Sequence, residues 1–258
     1  MRYKVIGCSV FCREISLLAA YSDAVLDVTW IRQGLHSYPE ILRDEIQREI
    51  DQSESPPQAP LDLTLPPEDY SAVILGFGLC SGAVCGLRTR RLPLVIPRSH
   101  DCIGILLGSR ERYMKEFAAA PGTYWLSPGW IEQSTFPCGE QCRLIRERLA
   151  ARYGEENAEY LMEVKVESLR PYTRTALIRW PELDRPRYQA RLSEIARDFG
   201  WQPACIDGNA ELLQRILEGE WNDDDAVICP PGQTVEMSED ERIMRTVSFG
   251  DCTEESRD

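Results

Sequence analysis

Three stretches of the sequence decide the fold, and each ends in a cysteine: KVIGC (4–8), AVILGFGLC (72–80) and LPLVIPRSHDC (92–102). Each contains an apolar run with the length and composition of a buried strand. In an open α/β sheet the carboxyl ends of parallel strands meet at one edge, and ligands bind at that edge. If the three strands are parallel neighbours, Cys8, Cys80 and Cys102 are therefore predicted to converge on one ion or substrate.

Outward from these stretches, strand-like runs alternate with helical patterns along most of the chain. The further strand-like runs are DVTWI, TYWLSP, TALIRW, QPACID and DAVIC. The helical patterns cover residues 14–21, 39–50, 109–119, 138–164, 183–199 and 210–217. Such alternation predicts an α/β fold with mostly parallel, Rossmann-like sheets and helices on both faces.

A weak internal repeat suggests how the chain is divided. YSAVILGFG (70–78) resembles DDAVICPPG (224–232), which predicts two related α/β lobes at residues 1–120 and 121–235. The alternative is that any two buried parallel strands look alike. The polar, Pro-rich stretch at 53–69 predicts a surface connection. Residues 236–258 are acidic with little apolar periodicity, and they predict a flexible tail.

Composition restricts the class of protein. The chain has 258 residues and a net charge of -13, which argues against nucleic-acid or anionic-membrane partners. No apolar stretch approaches the roughly 20 residues of a transmembrane helix, and the N-terminal run is too short for a signal peptide. Ten cysteines in such a chain suggest reduced thiols or metal ligands. We therefore expect a cytoplasmic protein.

Four glycines surround Cys80 in the segment GFGLCSGAVCGL (76–87). Glycine permits positive φ and a close approach of the backbone, so we expect Gly78 and Gly82 to contact a cofactor or substrate. The spacing matches neither a Walker loop nor a dinucleotide fingerprint. A helix that begins after Cys80 would stabilise its thiolate, the form that binds metals or attacks electrophiles. The alternative is a tight turn that contains a small cysteine.

The segment PRSHDCIGILLGSRERY (97–113) is the densest in reactive side chains. Asp101 is expected to orient His100, which would act as a metal ligand or as a general base. Arg98 and Ser109, with backbone N–H groups near Ser109, are predicted to hold a carboxylate or phosphate. The alternatives are a surface ion pair for Arg98 and a helix N-cap for Ser109.

His36, in GLHSYP (34–39), follows the second strand and is predicted to lie at the same edge as the three cysteines. Cys8, Cys80, Cys102 and His36 would suit zinc or an iron–sulfur cluster, since both prefer thiolate and accept imidazole. The sequence has no C-x₂-C pair, so the set matches no zinc-finger or ferredoxin pattern. The alternative role for His36 is to cap the helix at Pro39.

The chain resembles the DUF1638 family of bacterial and archaeal proteins. The segments that carry the resemblance are GLHSYP, GFGLCSGAVCGL, IPRSHDCIGILLGSRERY, GTYWLSPGW, LLQRILEGEW and ICPPG. The family's loop has the form YGLCGNG-x-x-GL; here Phe77 replaces the Tyr, and Ser81-Gly82-Ala83 replaces Gly-Asn-Gly. Some family members are associated with anaerobic corrinoid and methyl-transfer gene sets. The resemblance thus implies a corrinoid cofactor, or a corrinoid or methyltransferase protein as partner.

Together these patterns predict a metal- or iron–sulfur-binding protein that takes a small anionic ligand, with methyl transfer as one fitting chemistry. Such a protein would be a metal-dependent transferase. One alternative is a metal-free enzyme in which Cys80 or Cys102 attacks, His100 is the base and Asp101 orients it. Another is a non-catalytic binder of a small anionic ligand or cofactor.

Overall fold

The computed structural model describes residues 1–55 and 70–248. Most of the predicted connection at 53–69, and the end of the predicted tail at 249–258, lie outside these residues. The chain forms two compact units: Met1–Arg110 with the chain from Asn209 onward, and Glu111–Gly208. This division differs from the predicted lobes, because the chain returns to the first unit after residue 208.

The secondary structure alternates as the sequence predicts. The strands are β1 (Arg2–Cys8), β2 (Val25–Ile31), β3 (Ala72–Gly76), β4 (Leu94–Pro97), β5 (Thr123–Leu126), β6 (Arg174–Arg179), β7 (Gln202–Asp207), β8 (Ala226–Cys229), β9 (Gln233–Met237) and β10 (Met244–Ser248). The helices are α1 (Cys12–Tyr21), α2 (Pro39–Ser53), α3 (Cys102–Leu107), α4 (Arg110–Ala119), α5 (Pro128–Gln133), α6 (Gly139–Tyr153), α7 (Glu155–Glu167), α8 (Pro186–Phe199) and α9 (Glu211–Glu218). None of the helices in the described ranges is both long enough and apolar enough to cross a membrane.

The first unit contains a five-stranded sheet in the order β2-β1-β3-β4-β8. The first four strands are parallel, and β8 runs antiparallel beside β4. The run predicted as an equivalent strand of a second lobe is therefore an edge strand of the first sheet. An apolar run of four residues is compatible with either strand direction, so its composition could not decide between them.

Helices cover both faces of this sheet. Leu42, Ile46 and Ile50 of α2 pack in one core cluster with Ile6 of β1. Ile15 of α1 lies against Gly7, whose position faces the other side, because successive strand residues point to opposite faces. The predicted α/β fold with helices on both faces is confirmed.

The second unit has a parallel three-stranded sheet in the order β5-β6-β7. Its core is rich in aromatic side chains: the ring centroid of Tyr124 lies 4.8 Å from that of Phe136 and 5.8 Å from that of Trp201. α8 adds Tyr188 and Leu192 to this core. The predicted break near Gly154 separates α6 from α7.

The start of the predicted flexible tail is part of an antiparallel hairpin. β9 and β10 pair from Gln233 with Ser248 to Met237 with Met244. Val235 and Met244 are fully buried and belong to the core cluster of the first unit. Apolar residues spaced this widely show no periodicity in sequence, although they can still anchor a short hairpin.

Candidate functional site

Three free thiols lie at the carboxyl edge of the first sheet. Cys8 is the last residue of β1, Cys80 lies in the 3₁₀ turn after β3, and Cys102 begins α3 after β4. Charges on Cys8 and Cys80 each raise the pKa of Cys102, so the three groups lie within electrostatic range of one another. With His36 and Asp101, described below, we call these residues the edge cluster.

The edge cluster lies where open α/β sheets bind ligands. From β1 the chain proceeds to β2 on one side of the sheet and then to β3 and β4 on the other. A crevice opens at the carboxyl ends of the two strands between which the order reverses. Those strands are β1 and β3, and they are followed by Cys8 and Cys80.

Gly78 allows the loops after β3 and β4 to approach each other. The N–H of Leu79 donates to the carbonyl of Ser99 at 2.8 Å, and the N–H of Cys80 donates to that of His100 at 3.0 Å. A Cβ on Gly78 would lie 2.6 Å from the Ser99 carbonyl oxygen. Gly78 is thus required for contact between two backbones, and its predicted contact with a cofactor or substrate stays a prediction.

The turn after β3 is strained. Cys80 and Ser81 have positive φ, 46° and 59°, and Gly82 follows at 80°. Non-glycine residues adopt this left-handed region at an energetic cost, and such residues concentrate at functional sites. Glycine and asparagine tolerate it best, and neither Cys80 nor Ser81 is one of these residues. The carbonyl of Gly82 accepts a hydrogen bond from Arg43 Nη2 at 3.0 Å.

Asp101 is the N-cap of α3. Its Oδ1 accepts from the N–H of Ile103 at 2.9 Å and of Gly104 at 3.4 Å. His100 is exposed, and within the described chain no hydrogen bond or ion pair joins its side chain to Asp101. The predicted pair of His100 and Asp101 is therefore not assembled, because the cap directs the carboxylate towards its own helix.

His36 lies closer in space to the Asp101 carboxylate than the separation of the two residues in the sequence suggests. It occupies a 3₁₀ turn, Leu35–Ser37, after β2. Burial lowers the pKa of His36, and the charge of Asp101 opposes that shift. The neutral imidazole is the form that binds metals, and the lowered pKa favours that form.

Burial keeps the edge thiols protonated in the absence of a cation. It raises the pKa of Cys8 to about 11 and that of Cys80 to about 12, where the charge of Cys8 adds to the effect. The pKa of Cys102 is also raised by burial, and then by Asp101. The expected helix after Cys80 is only a three-residue 3₁₀ turn, so no helix dipole stabilises its thiolate.

A different group has ligand atoms close enough for one metal ion. Among the described residues, the set whose ligand atoms all lie within 4.8 Å of one another is Cys138, Glu194 and Asp198. We call this set the helix cluster. It joins the start of α6 to α8, more than 50 residues away in the sequence, so no local motif could reveal it.

The charges of the helix cluster are already balanced. Arg191 pairs with Glu194, and Arg197 Nη2 lies 3.2 Å from Asp198 Oδ1. Asp198 Oδ2 also accepts the N–H of Gly139 at 2.9 Å. Burial raises the pKa of Cys138 to about 11, although the charge of Arg191 opposes this shift. These contacts are those of a packed helix start.

Arg98 and Ser109 are not placed to hold an anion at the edge cluster. Arg98 donates to the carbonyls of Asp223, Arg242 and Met244 and pairs with Asp223 at 2.9 Å, so it anchors the hairpin of β9 and β10. Ser109 follows the C-cap of α3. α3 is six residues long, or about 9 Å, so Ser109 lies at the opposite end of this helix from Cys102.

Comparison with known proteins identifies a family but no activity. No curated protein and no solved structure matches this chain. The profile of a family described as "Protein of unknown function (DUF1638)" matches residues 30–217. This range contains His36, Cys80 and Cys102 and begins after Cys8. Because the match covers well over half of the 258 residues, the chain belongs to the DUF1638 family.

Proposed function

We propose that the protein binds a metal centre at the carboxyl edge of its first sheet. Cys8, Cys80 and Cys102 would be the thiolate ligands, and His36 would complete or orient the site. The observation that supports this proposal is that three thiols follow three neighbouring parallel strands at their carboxyl ends, within electrostatic range of one another. The nine cysteines of the described residues are free thiols, the form that a reducing cytoplasm maintains.

The electrostatics of the edge cluster favour a cation. Cys8, Cys80 and Asp101 each raise the pKa of Cys102, so several thiolates are costly there without a positive charge. A metal ion reverses this balance, since it displaces the thiol protons and stabilises the thiolates that bind it. The same pKa shifts argue against the metal-free alternative, because a protonated thiol is a poor nucleophile.

A single tetrahedral zinc ion requires the edge thiols to lie closer together than they do in this structure. A tetrahedral zinc site with Zn–S bonds of about 2.3 Å brings its sulfurs to within about 4 Å of one another. The edge thiols are not among the described groups that meet a 4.8 Å limit. In a cluster each cysteine binds a different iron, so its ligands lie further apart.

Three cysteine ligands would leave one metal position for His36 or for a substrate. The resemblance to DUF1638 makes corrinoid-linked methyl transfer the chemistry we propose for such a position. Arg98 is fully engaged elsewhere, so a small anionic ligand would bind through the metal.

The proposal is tested by the metal content of the full chain, purified without exposure to oxygen. Iron, zinc and acid-labile sulfide are quantified, and the visible spectrum is recorded. Iron with matching sulfide and a broad visible band supports a cluster, whereas zinc alone supports a single ion. A folded chain that holds no metal, and takes up none on reconstitution with iron and sulfide or with zinc, contradicts the proposal.

Two matched variants locate the site. Cys80 and Cys85 are both partly buried and pack against the same core cluster, but only Cys80 belongs to the edge cluster. Cys80→Ser should lose most of the bound metal, whereas Cys85→Ser should retain it. Equal metal content in the two variants would place the metal elsewhere.

A further inference from the structure

Three consecutive residues of the turn after β3 have a left-handed backbone. They are Cys80, Ser81 and Gly82, with φ values of 46°, 59° and 80°. The side chains at the first two positions disfavour this conformation, so the run persists only where surrounding contacts enforce it. Because Cys80 is a proposed metal ligand, relaxation of the run would move its thiolate. The contacts that hold the run therefore affect the metal site.

One contact ties the end of this run to a helix of the core. The Gly82 carbonyl accepts a hydrogen bond from the N–H of Cys85 at 3.0 Å, which is local to the turn. The same carbonyl accepts from Arg43 Nη2 at 3.0 Å, across 39 residues of sequence. Arg43 lies on α2, where Leu42 and Ile46 are buried in the core cluster of the first unit. The hydrogen bond from Arg43 thus fixes the turn against a packed helix.

The surroundings of Arg43 are unusual for an arginine. Its stem passes over Gly86, where a Cβ would lie 3.7 Å from Arg43 Cδ. Its Nε is buried and, within the described chain, has no hydrogen-bond partner. Arg43 also forms no ion pair with a described residue, whereas Arg48 on the same helix pairs with Glu45. Since a buried donor without a partner is costly, the hydrogen bond to Gly82 is the contact that accounts for this placement.

We propose that Arg43 is a positioning residue of the edge cluster, which holds the turn after β3 so that the Cys80 thiolate reaches the metal. This inference rests on the metal site proposed above. Without Arg43, the Gly82 carbonyl keeps only the local N–H of Cys85, and the left-handed run can relax. Metal sites tolerate little displacement of a ligand, and loss of a group that orients a ligand typically lowers metal affinity about 10–100-fold.

The test compares two substitutions of Arg43 in the full chain. Arg43→Met keeps an apolar stem over Gly86 but removes the donor, so metal affinity should fall at least about tenfold. Arg43→Lys keeps a terminal donor and should restore most of that affinity. Affinity is measured by competition between the protein and a chelator for iron or zinc, whichever metal the native chain holds.

The spectrum of the bound metal separates positioning from a general loss of stability. Arg43→Met should change the visible circular dichroism of the iron–sulfur form, or of the chain reconstituted with cobalt(II) if the native metal is zinc, because Cys80 is displaced. Denaturant unfolding checks the fold of each variant. Arg48→Met, an exposed substitution on the same helix, is the control and should leave affinity and spectrum unchanged. If Arg43→Met does not fold, Arg43→Gln replaces it, since its amide is too short to reach the Gly82 carbonyl.

The outcomes distinguish this role from the metal site itself. Loss of affinity in Arg43→Met with recovery in Arg43→Lys supports the role. Native affinity and an unchanged spectrum in Arg43→Met, or equal losses in the two variants, would overturn it. A native chain that holds no metal contradicts the site, whereas loss of metal in Cys80→Ser but not in Arg43→Met contradicts only the role of Arg43.

Discussion

The edge cluster and the helix cluster both place cysteine near carboxylate, but they differ in the charges that surround the thiol. In the helix cluster, Glu194 and Asp198 raise the pKa of Cys138, but Arg191 opposes that rise and pairs with Glu194. In the edge cluster, Asp101 raises the pKa of Cys102, and so would a thiolate at Cys8 or Cys80. If the edge cluster holds the metal as proposed, unbalanced negative charge predicts the site better than proximity of ligand atoms does.

The two clusters also differ in backbone strain, which is greater at the edge cluster. At the helix cluster the left-handed position is occupied by Gly139, with a φ of 54°, which glycine tolerates. At the edge cluster the left-handed positions are occupied by Cys80 and Ser81 as well as by Gly82. Strain of this kind persists only where the surrounding structure enforces it, and it is typical of ligand sites.

The largest expected difference between the clusters is in thiol labelling. In metal-free protein, Cys8 and Cys80 should react slowly with iodoacetamide near neutral pH, because burial raises their pKa to about 11 and about 12. The thiolate fraction, and hence the rate, should rise about tenfold per pH unit until the pH reaches the pKa. Exposed Cys205 is the accessible reference. Rates are read by mass spectrometry.

Bound metal should increase the difference in thiol labelling between the two clusters. In metal-loaded protein the edge thiols should be protected at every pH, whereas metal should not change the labelling of Cys138. Fast labelling of Cys8 or Cys80 near neutral pH would instead favour the activated nucleophile. Metal-dependent protection of Cys138 would show that metal binds at the helix cluster.

Gly139→Ala should destabilise the helix cluster. Alanine does not readily adopt the positive φ, and its Cβ would displace the Glu194 carboxylate, which ends a flexible side chain. We expect a loss of about 2 kcal/mol in the free energy of unfolding, measured with denaturant. Metal content per folded chain should not change. Gly200→Ala is the control, because that glycine has a similar left-handed φ of 66° but open space around it.

Asp101→Ala should cost about 1–2 kcal/mol, because it removes the side-chain cap of α3. Asp101→Asn keeps an equally good cap but removes the charge. If the carboxylate only caps the helix, both stability and metal content should survive in Asp101→Asn. Reduced metal affinity at unchanged stability would show that its charge also contributes to the edge cluster.

The smallest expected effect is that of Ser81→Gly. Glycine relieves left-handed strain of about 1 kcal/mol but makes the unfolded chain more flexible, so the net gain should be below about 1 kcal/mol. The midpoint of denaturant unfolding measures it. A loss of stability would mean that the Ser81 side chain contributes more than its backbone strain costs.

Much of the fold could be predicted, because buried strands and amphipathic helices are local patterns. The runs that end at Cys8, Cys80 and Cys102, and the break at Gly154, needed only composition and periodicity. The cap at Asp101 was also visible as an acidic residue before an apolar helix, although the adjacent His100 suggested a catalytic pair instead. Partners of Arg98 were not predictable, since they lie more than 120 residues away in the chain.

Residue order alone was enough to place cysteines after buried strands, because alternation and apolar run length are written into short segments. Long-range packing decided the rest: which strands are neighbours, that β8 is antiparallel, and which charges face Cys102 and Cys138. Electrostatic energy depends on distance in space and on burial. Neither can be read from a segment until the chain has folded.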